Sequence, residues 1–277
     1  MLSFTKMQGA GNDYVYINGF DIQVKDPETL AKRISDRHFG IGSDGLVLIL
    51  PSETCDFQMR MFNANGTEAE MCGNASRCIG KYVYDHKMTS KLSVTLETKA
   101  GIKTLKLNIK DNTVSEVEVD MGSPVLNGLD IPVRLERDEV INYPLVINND
   151  KFNITCVSMG NPHAIIYVDD VDSTNPATHG SIIENHPFFP KRTNVEFVQV
   201  VNRSLLKMRV WERGSGETLA CGTGACATLV ASVLNNVCER TATVRLLGGD
   251  LKIEWRENGH IYMTGPAVTV FEGEIEE

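Results

Sequence analysis

The chain has 277 residues, of which 42% are hydrophobic and 23% are charged, and its formal net charge is −9. This length fits one large domain or two of ordinary size, and the acidic balance argues against a general binder of nucleic-acid backbones, which needs a basic surface. No apolar run approaches the roughly 18 residues of a membrane span, and the first residues lack the apolar core of a signal peptide, so we expect a cytoplasmic protein.

Alternating apolar and polar residues dominate the chain and are interrupted by two main helical segments. In the first half we predict strands at 46–50 and 59–62, a helix from about residue 74, and alternating strands over 93–121 with a turn at 110–113. In the second half we predict strands at 197–201 and 207–211, a helix over about 224–235, and hairpins at 248–249 and 258–259. The second helix, ACATLVASVL, is apolar on nearly every face and should be buried inside its sheet. Each half is therefore predicted to be a mostly antiparallel sheet wrapped around a central helix, an α+β fold.

The two halves resemble each other at a fixed offset. Cys72 and Cys221 differ by 221 − 72 = 149 positions, and over the 63 positions from 11 to 73 this offset gives 13 identities. About four are expected by chance. A unit of this length exceeds solenoid repeats, so the pattern predicts two similar domains related by a pseudo-twofold axis. We place the first at 1–121 plus 265–277 and the second at 122–264, with the tail returning after the Gly265-Pro266 break.

The chain has seven cysteines, an odd number that argues against a secreted disulfide framework. Cys72 and Cys221 differ from the others because each precedes a glycine at a predicted helix start. A helix N-terminus offers unpaired N–H groups and partial positive charge, which bind anions and favour thiolate over thiol. The remaining cysteines should be inert packing residues: Cys55, Cys78, Cys156, Cys226 and Cys238.

Two similar domains facing each other would direct both helix starts at one ligand from opposite sides. One thiolate would remove the α-proton of an amino acid, and the other thiol would deliver a proton to the opposite face. Backbone N–H groups of Gly73-Asn74 and Gly222-Thr223 would hold the carboxylate and stabilise the enediolate, each donor contributing roughly 3 kcal/mol by analogy with oxyanion holes. This hypothesis predicts a racemase or epimerase that needs no electron-sink cofactor.

Four motifs closely resemble those of diaminopimelate epimerases: GAGNDY (9–14), FNANGTEAEMCGN (62–74), GNPH (160–163) and ERGSGETLACGTGACA (212–227). The resemblance continues to the tail PAVTVFEGEI (266–275). It implies the two-domain fold described above and cofactor-independent interconversion of L,L- and meso-diaminopimelate, a step in lysine and peptidoglycan precursor synthesis. It also implies a homodimer, with the tail near Phe271 at the interface. The spacing of the cysteines predicts no metal site.

The resemblance further implies roles for individual residues. Cys72 and Cys221 would be the acid/base pair, with His163 and Glu212 tuning the site. Arg213 would grip the distal carboxylate, a task for which a planar guanidinium is suited; the repeat places Ala64 opposite it, so the cleft would be asymmetric. The implied substrate-binding residues also include Asn12, Asn63, Gly73, Asn74, Asn161, Asn194, Glu212, Gly222 and Thr223.

Two positions depart from the family pattern. Many relatives have a substrate-contacting glutamine where this chain has Gly45, so we expect that contact to be missing or water-filled. Many also have glycine where this chain has Ala75, which should fit the first turn of a helix.

Three other functions stay open on the residues alone. A nucleophilic cysteine enzyme with His163 as its base would explain only one cysteine. A redox or metal protein would use Cys72 and Cys221, but no second Cys or His pair of zinc-module type follows. A different cofactor-free racemase, for proline or hydroxyproline, shares the two-cysteine logic, although Arg213 favours a substrate with a second amino-acid end.

Two further pairs related by the repeat have no predicted catalytic role. Arg60 and Arg209 should serve packing or structural ion pairs. Glu68 and Glu217 would cap or orient the loop before each cysteine.

Overall fold

The computed structural model describes residues 1–135, 138–147 and 150–276. Residue 277, at the end of the predicted first domain, and residues 136, 137, 148 and 149 of the predicted second domain lie outside the described part.

The chain forms two compact units, one comprising Met1–Asp120 together with the segment from Thr264, the other comprising Met121–Met263. The elements up to the division are β1 (Leu2–Gly9), β2 (Asn12–Asn18), α1 (Pro27–Ser35), β3 (Gly45–Leu50), β4 (Phe57–Asn63), β5 (Glu68–Ala69), α2 (Gly73–Asp85), β6 (Ser93–Thr98), β7 (Gly101–Lys110) and β8 (Thr113–Gly122). Those that follow are β9 (Tyr143–Ile147), β10 (Asp150–Ser158), β11 (Pro162–Tyr167), α3 (Pro176–Glu184), β12 (Asn194–Asn202), β13 (Leu205–Glu212), β14 (Gly216–Thr218), α4 (Gly222–Leu234), β15 (Thr241–Leu246), β16 (Gly249–Trp255), β17 (Ile261–Pro266) and β18 (Val268–Ile275).

The sequence repeat corresponds to a repeat of secondary-structure elements. Adding 149 to the bounds of α1 and α2 gives the bounds of α3 and α4. Register is repeated as well: Val15 lies opposite Leu46 in the parallel pair β2–β3, and Ala164 lies opposite Val195 in the parallel pair β11–β12. Most other pairings are antiparallel, apart from β4–β6 and β13–β15. The predicted α+β fold of two similar units, mostly sheet with few helices, is confirmed.

Helices α2 and α4 lie at the centre of their units and differ in composition. Helix α4 is buried along almost its whole length and packs on β10, β11, β12, β15 and β16, as its apolar sequence predicts. Helix α2 packs on β1, β2 and β7 and carries the fully buried Arg77, whose Nε donates to the carbonyl oxygen of Pro266 at 3.1 Å. Both helices end before a residue with left-handed backbone, Lys87 (φ 61°) and Asn236 (φ 59°), again 149 positions apart.

The C-terminal segment packs in the first unit. Strand β18 pairs antiparallel with β1, from Leu2 opposite Ile275 to Gln8 opposite Val268, with a bulge between Lys6 and Met7. Strand β1 also pairs with β2, so it lies between the two. Among the helices in the described part of the chain, none combines the length and apolarity that crossing a membrane requires.

Candidate functional site

Both predicted helix starts carry a cysteine at the capping position. Cys72 precedes α2 with φ −138° and ψ 122°, and Cys221 precedes α4 with φ −119° and ψ 109°. This extended backbone ends the preceding segment and leaves the first helical N–H groups directed beyond the helix end. The first turns begin with Gly73-Asn74 and Gly222-Thr223. The prediction of two Cys-Gly helix starts is confirmed.

Cys72 is half-buried and lies among amides. Its thiol donates to Asn12 Oδ1 at 3.4 Å, and Asn74 Nδ2 donates to the same oxygen at 3.3 Å. Asn12 begins β2 directly after a turn in which Ala10 and Gly11 have φ 55° and 80°. Three of the residues implied by the resemblance therefore meet at one carbonyl oxygen.

Cys221 is buried and lies among carboxylates. Its Sγ accepts from Gly224 N at 3.4 Å and lies 3.5 Å from Thr223 Oγ1. Burial, followed by the negative charges of Glu212 and Glu196, raises the pKa of Cys221 well above its usual value, and the hydrogen bonds from Thr223 and Gly224 offset this only in part. This rise in pKa opposes the effect of the helix start, which by itself favours thiolate.

A buried histidine and a buried glutamate lie in contact near this cysteine. His163 Nδ1 lies 2.7 Å from Glu196 Oε1, and both side chains are 0% exposed. The other ring nitrogen of His163 lies 3.1 Å from Asn161 Oδ1. A Cβ added at Gly224 would lie 2.7 Å from Glu196 Oε1, so the approach of this carboxylate to the first turn of α4 requires a glycine there.

Glu196 was missed by the sequence reasoning. It stands in the middle of NVEFV, the start of the apolar strand β12, and its neighbours along the strand are buried. A lone carboxylate in a buried strand is the signal that marks it, because such a charge is retained only with a partner.

Glu212, at the end of β13, is the second carboxylate near Cys221. Its Oε1 accepts a short hydrogen bond from Thr218 Oγ1. Burial, followed by the charge of Glu196, raises the pKa of Glu212, although hydrogen bonds from Thr218 and Cys221 and the charge of His163 act in the opposite direction. Glu212, His163 and Cys221 are therefore neighbours, as the resemblance implies.

The side-chain amide of Asn194 is hydrogen-bonded to backbone groups of Arg213 and Pro162. Its Oδ1 accepts from Arg213 N at 2.9 Å, and its Nδ2 donates to the carbonyl oxygen of Pro162 at 2.8 Å. The guanidinium of Arg213 is partly exposed and donates to the carbonyl oxygen of Lys191 at 3.1 Å. In this state Asn194 positions Arg213 and the strand that carries His163.

The first unit has no carboxylate at the position of Glu212; Asn63 stands there, and its Nδ2 donates to Thr67 Oγ1 at 3.0 Å. At Gly45, opposite Asn63 in the β3–β4 pair, an added Cβ would lie 2.0 Å from the carbonyl oxygen of Phe62. Strand β4 therefore closes this position to any side chain, which gives a packing reason for the glycine.

The two arginines and two glutamates that have no predicted catalytic role form ion pairs. Arg60 pairs with Glu68 and Arg209 pairs with Glu217, each with Nε 2.7 Å from Oε1, so the repeat conserves one ion pair twice. This confirms the ion-pair interpretation of the arginines and shows what the two glutamates contact.

The other cysteines pack as predicted, with one exception. Cys78, Cys156, Cys226 and Cys238 are buried, and burial raises the pKa of Cys78 to about 11. Cys55 is half-buried rather than buried, so its predicted packing role is only partial. Across the described residues, no group of three or more His, Cys, Asp or Glu side chains is arranged to hold a metal ion; that the protein binds no metal stays a prediction.

Comparison with known proteins identifies the family. A family model described as diaminopimelate epimerase matches residues 4–127 and 155–270. The chain is similar to the diaminopimelate epimerase of Acetivibrio thermocellus, with 61% identity over 276 residues that cover 99% of each protein. It is similar to that of Methanococcus maripaludis strain S2, with 58% identity over 276 residues that cover 99% of this chain and 100% of the relative.

Solved structures show the same fold at low identity. A phenazine biosynthesis protein of Bacillus anthracis has a TM-score of 0.73 at 17% identity, covering 100% of this chain and 99% of that one. A hydroxyproline epimerase from Agrobacterium vitis has a TM-score of 0.71 at 13% identity, covering 99% of this chain and 90% of that one. The matches of full-length relatives, together with a cysteine capping the same helix in both units, lead to one conclusion: this chain belongs to the diaminopimelate epimerase family.

Proposed function

We propose that this protein is an isomerase that interconverts L,L- and meso-diaminopimelate with two cysteines and no cofactor, in lysine and peptidoglycan precursor synthesis. The observation that carries the proposal is the repeated helix start: two equivalent cysteines, each capping a helix and each followed by glycine, in a member of this family. A single nucleophilic cysteine would leave the second helix start without a purpose.

The chemistry divides between the two sulfurs. In one direction the Cys72 thiolate takes the α-proton, the electron pair passes into the carboxylate as an enediolate, and the Cys221 thiol gives its proton to the opposite face. The enzyme then holds a Cys72 thiol and a Cys221 thiolate, and the reverse reaction starts from that form. The burial of Cys221 beside Glu212 and Glu196, which raises its pKa, supports its assignment as the acid in the first direction.

The N–H groups at the two helix starts supply the charge stabilisation that the enediolate needs. Gly73-Asn74 and Gly222-Thr223 stand at the first positions of α2 and α4, where backbone donors are unpaired by the helix itself. Preorganised donors of this kind contribute roughly 3 kcal/mol each in oxyanion holes. The division into a first epimerase domain, 1–121 plus 265–277, and a second, 122–264, each with one of the two cysteines, is part of the proposal.

Specificity for a two-ended substrate is assigned to the second unit. Arg213 carries the guanidinium, and the neighbouring Glu212 offers a carboxylate to an ammonium group. The equivalent positions of the first unit hold Ala64 and Asn63, so only one unit supplies the charged pair. Asn12, Asn161 and Asn63 are proposed to bind the remaining polar groups of the substrate.

A cytoplasmic homodimer belongs to the same proposal. The resemblance to the family supports it, and strand β18 presents Val268, Val270 and Phe271 with side chains 41%, 54% and 45% exposed. Apolar side chains grouped on one strand are suited to cover by a second copy.

The test is an incubation with L,L-diaminopimelate in deuterium oxide, followed by separation of the stereoisomers and mass spectrometry. We expect meso product that carries one solvent deuterium, at the inverted centre, because the acid that delivers the proton exchanges with solvent. Cleavage of the substrate, or no stereochemical change, would reject the proposed reaction.

A further inference from the structure

The amide of Asn12 is held in one orientation from behind. Asp44 Oδ2 accepts from Asn12 Nδ2 at 2.7 Å and from Asp13 N at 3.1 Å, and Asp44 Oδ1 accepts from Arg37 Nη2 at 3.0 Å. A carboxylate that receives three donors must face the NH₂ end of the Asn12 amide. The oxygen end of that amide is therefore turned toward α2.

The oxygen end is the acceptor for the thiol of Cys72. Asn12 Oδ1 receives the S–H of Cys72 and one N–H of Asn74. The same contact leaves Asn74 Oδ1, which is buried, with no hydrogen-bond partner among the described residues. If the Asn12 amide were reversed, its NH₂ group would face the sulfur and would stabilise a thiolate instead of a thiol.

The second unit orients the equivalent asparagine by a different route. Asn161 stands 149 positions after Asn12, and its Oδ1 faces His163, which Glu196 holds from behind. Both units thus use a carboxylate to fix this amide, directly in the first unit and through an imidazole in the second.

We propose that Asp44 is a positioning residue for Cys72. By holding the Asn12 amide with its oxygen toward the sulfur, Asp44 keeps the proton on Cys72 when this cysteine is to act as the acid. The inference rests on the proposed role of Cys72 as one of the two bases.

The experiment measures the reactivity of the Cys72 thiol directly and does not depend on catalytic turnover. Wild type and Asp44→Ala are treated with iodoacetamide at pH 7.5, and alkylation rates are resolved by peptide. Cleavage after Arg60 and Arg77 isolates Cys72 as the one cysteine of its peptide. We expect alkylation of Cys72 to rise about 3- to 10-fold in Asp44→Ala, the equivalent of one hydrogen bond. The peptide 214–240, which carries Cys221, Cys226 and Cys238, should react as in wild type. The kcat for the direction in which Cys72 is the acid should fall by a similar factor.

Two variants separate orientation from charge. Asp44→Asn removes the charge but keeps an oxygen for Asn12 Nδ2, with its own NH₂ group placed toward the exposed Arg37, so Cys72 should react within about twofold of wild type. Arg37→Gln removes the outer partner of Asp44 and should likewise leave Cys72 as in wild type.

Three results would overturn the proposal. They are an unchanged Cys72 rate in Asp44→Ala, an equal rise in Asp44→Asn, and a rise in Arg37→Gln as large as in Asp44→Ala. Thermal unfolding of each variant verifies that the protein tested is folded. A wild-type protein that does not epimerise diaminopimelate would reject the proposed function, and the alkylation rates would still decide the role of Asp44.

Discussion

The starts of α2 and α4 have the same backbone and opposite surroundings. Each is capped by an extended cysteine followed by glycine. Around Cys72 the equivalent positions hold Tyr14, Val47 and Asn63, whereas around Cys221 they hold His163, Glu196 and Glu212.

The comparison shows that the repeat keeps the backbone of the helix start and changes the electrostatics around its cysteine. The thiol of Cys72 donates to an amide oxygen at a half-buried site. The pKa of Cys221 is raised by burial and then by the charges of Glu212 and Glu196. Two identical thiols would compete for the same protonation state, and unequal surroundings let one be base while the other is acid.

The largest effect should come from removing either sulfur. We expect Cys72→Ala and Cys221→Ala to lose epimerisation by at least about 1000-fold, since inversion needs a base and an acid on opposite faces. Serine at either position should be severely impaired because its hydroxyl is far less acidic. The control is Cys226→Ala, a packing cysteine of α4, which should keep near-normal turnover. Near-normal turnover of Cys221→Ala would show that the two helix starts are not a catalytic pair.

Next in size is the change at Arg213, the side chain that the first unit replaces by Ala64. Arg213→Met should lose about 1000-fold or more in kcat/KM on diaminopimelate, because a site built for a polar group rejects an analogue that leaves it unpaired. For the same reason the wild type should not racemise lysine, which lacks the second carboxylate. Kinetics on both substrates test this. Equal wild-type activity on lysine would show that Arg213 is not the selector.

A smaller effect is expected at Gly224, whose equivalent in the first unit is Ala75. The repeat places Val47 and Ala75 at the positions of Glu196 and Gly224. In the second unit a Cβ at residue 224 would lie 2.7 Å from the carboxylate of Glu196. Gly224→Ala should cost about 1–3 kcal/mol of unfolding free energy, measured by denaturant titration.

The double variant Glu196→Val with Gly224→Ala sharpens this prediction, because it copies the Val47 and Ala75 pair of the first unit. We expect Gly224→Ala to cost less in the Glu196→Val background, with a coupling of about 0.5–3 kcal/mol. The same cost in both backgrounds would show that the glycine is not required by the carboxylate.

The smallest effect concerns pH. Burial raises the pKa of Glu212 above the value of about 4.5 expected in the unfolded chain. A carboxyl group whose pKa is raised on folding binds its proton more tightly in the folded state. The free energy of unfolding therefore falls as the pH rises above the pKa of the unfolded chain. Glu212→Gln should therefore be more stable than wild type at pH 8, and the difference should vanish below about pH 4. Denaturant titrations at both pH values test this, with the exposed Glu53→Gln as control. A variant equally or less stable at pH 8 would contradict the prediction.

Much of the scaffold was predictable because it is local. The Cys-Gly pairs mark the starts of α2 and α4, and the Asn-Gly and Gly-Gly pairs mark hairpins, whereas α1 and α3 were not predicted. Arg60 and Arg209 were expected to serve packing or structural ion pairs because they lie within strands.

The electrostatics of the site was not predictable, because it depends on contacts distant in sequence. Glu196 contacts His163 across the parallel strands β11 and β12, although the two residues are 33 positions apart in sequence. Asp44 contacts Asn12 at a sequence separation of 32. The sequence did not indicate which cysteine is the thiolate, because the pKa of Cys221 is raised by burial and then by the charges of Glu212 and Glu196. Neither burial nor a neighbouring charge is visible in a motif.

The pairing of β1 with β18 has a consequence for how the molecule is made. The first unit includes the first residues of this sequence but takes its last strand, β18, from near residue 277. The hydrogen bond from buried Arg77 to the carbonyl oxygen of Pro266 also needs this late segment. During synthesis the residues 121–263 of the second unit have all been added before β18 exists, so the second unit can fold first. Until β18 has been added, one edge of β1 is unpaired, a site for mispairing between nascent chains. The unit that is synthesised first is therefore the last that can be completed.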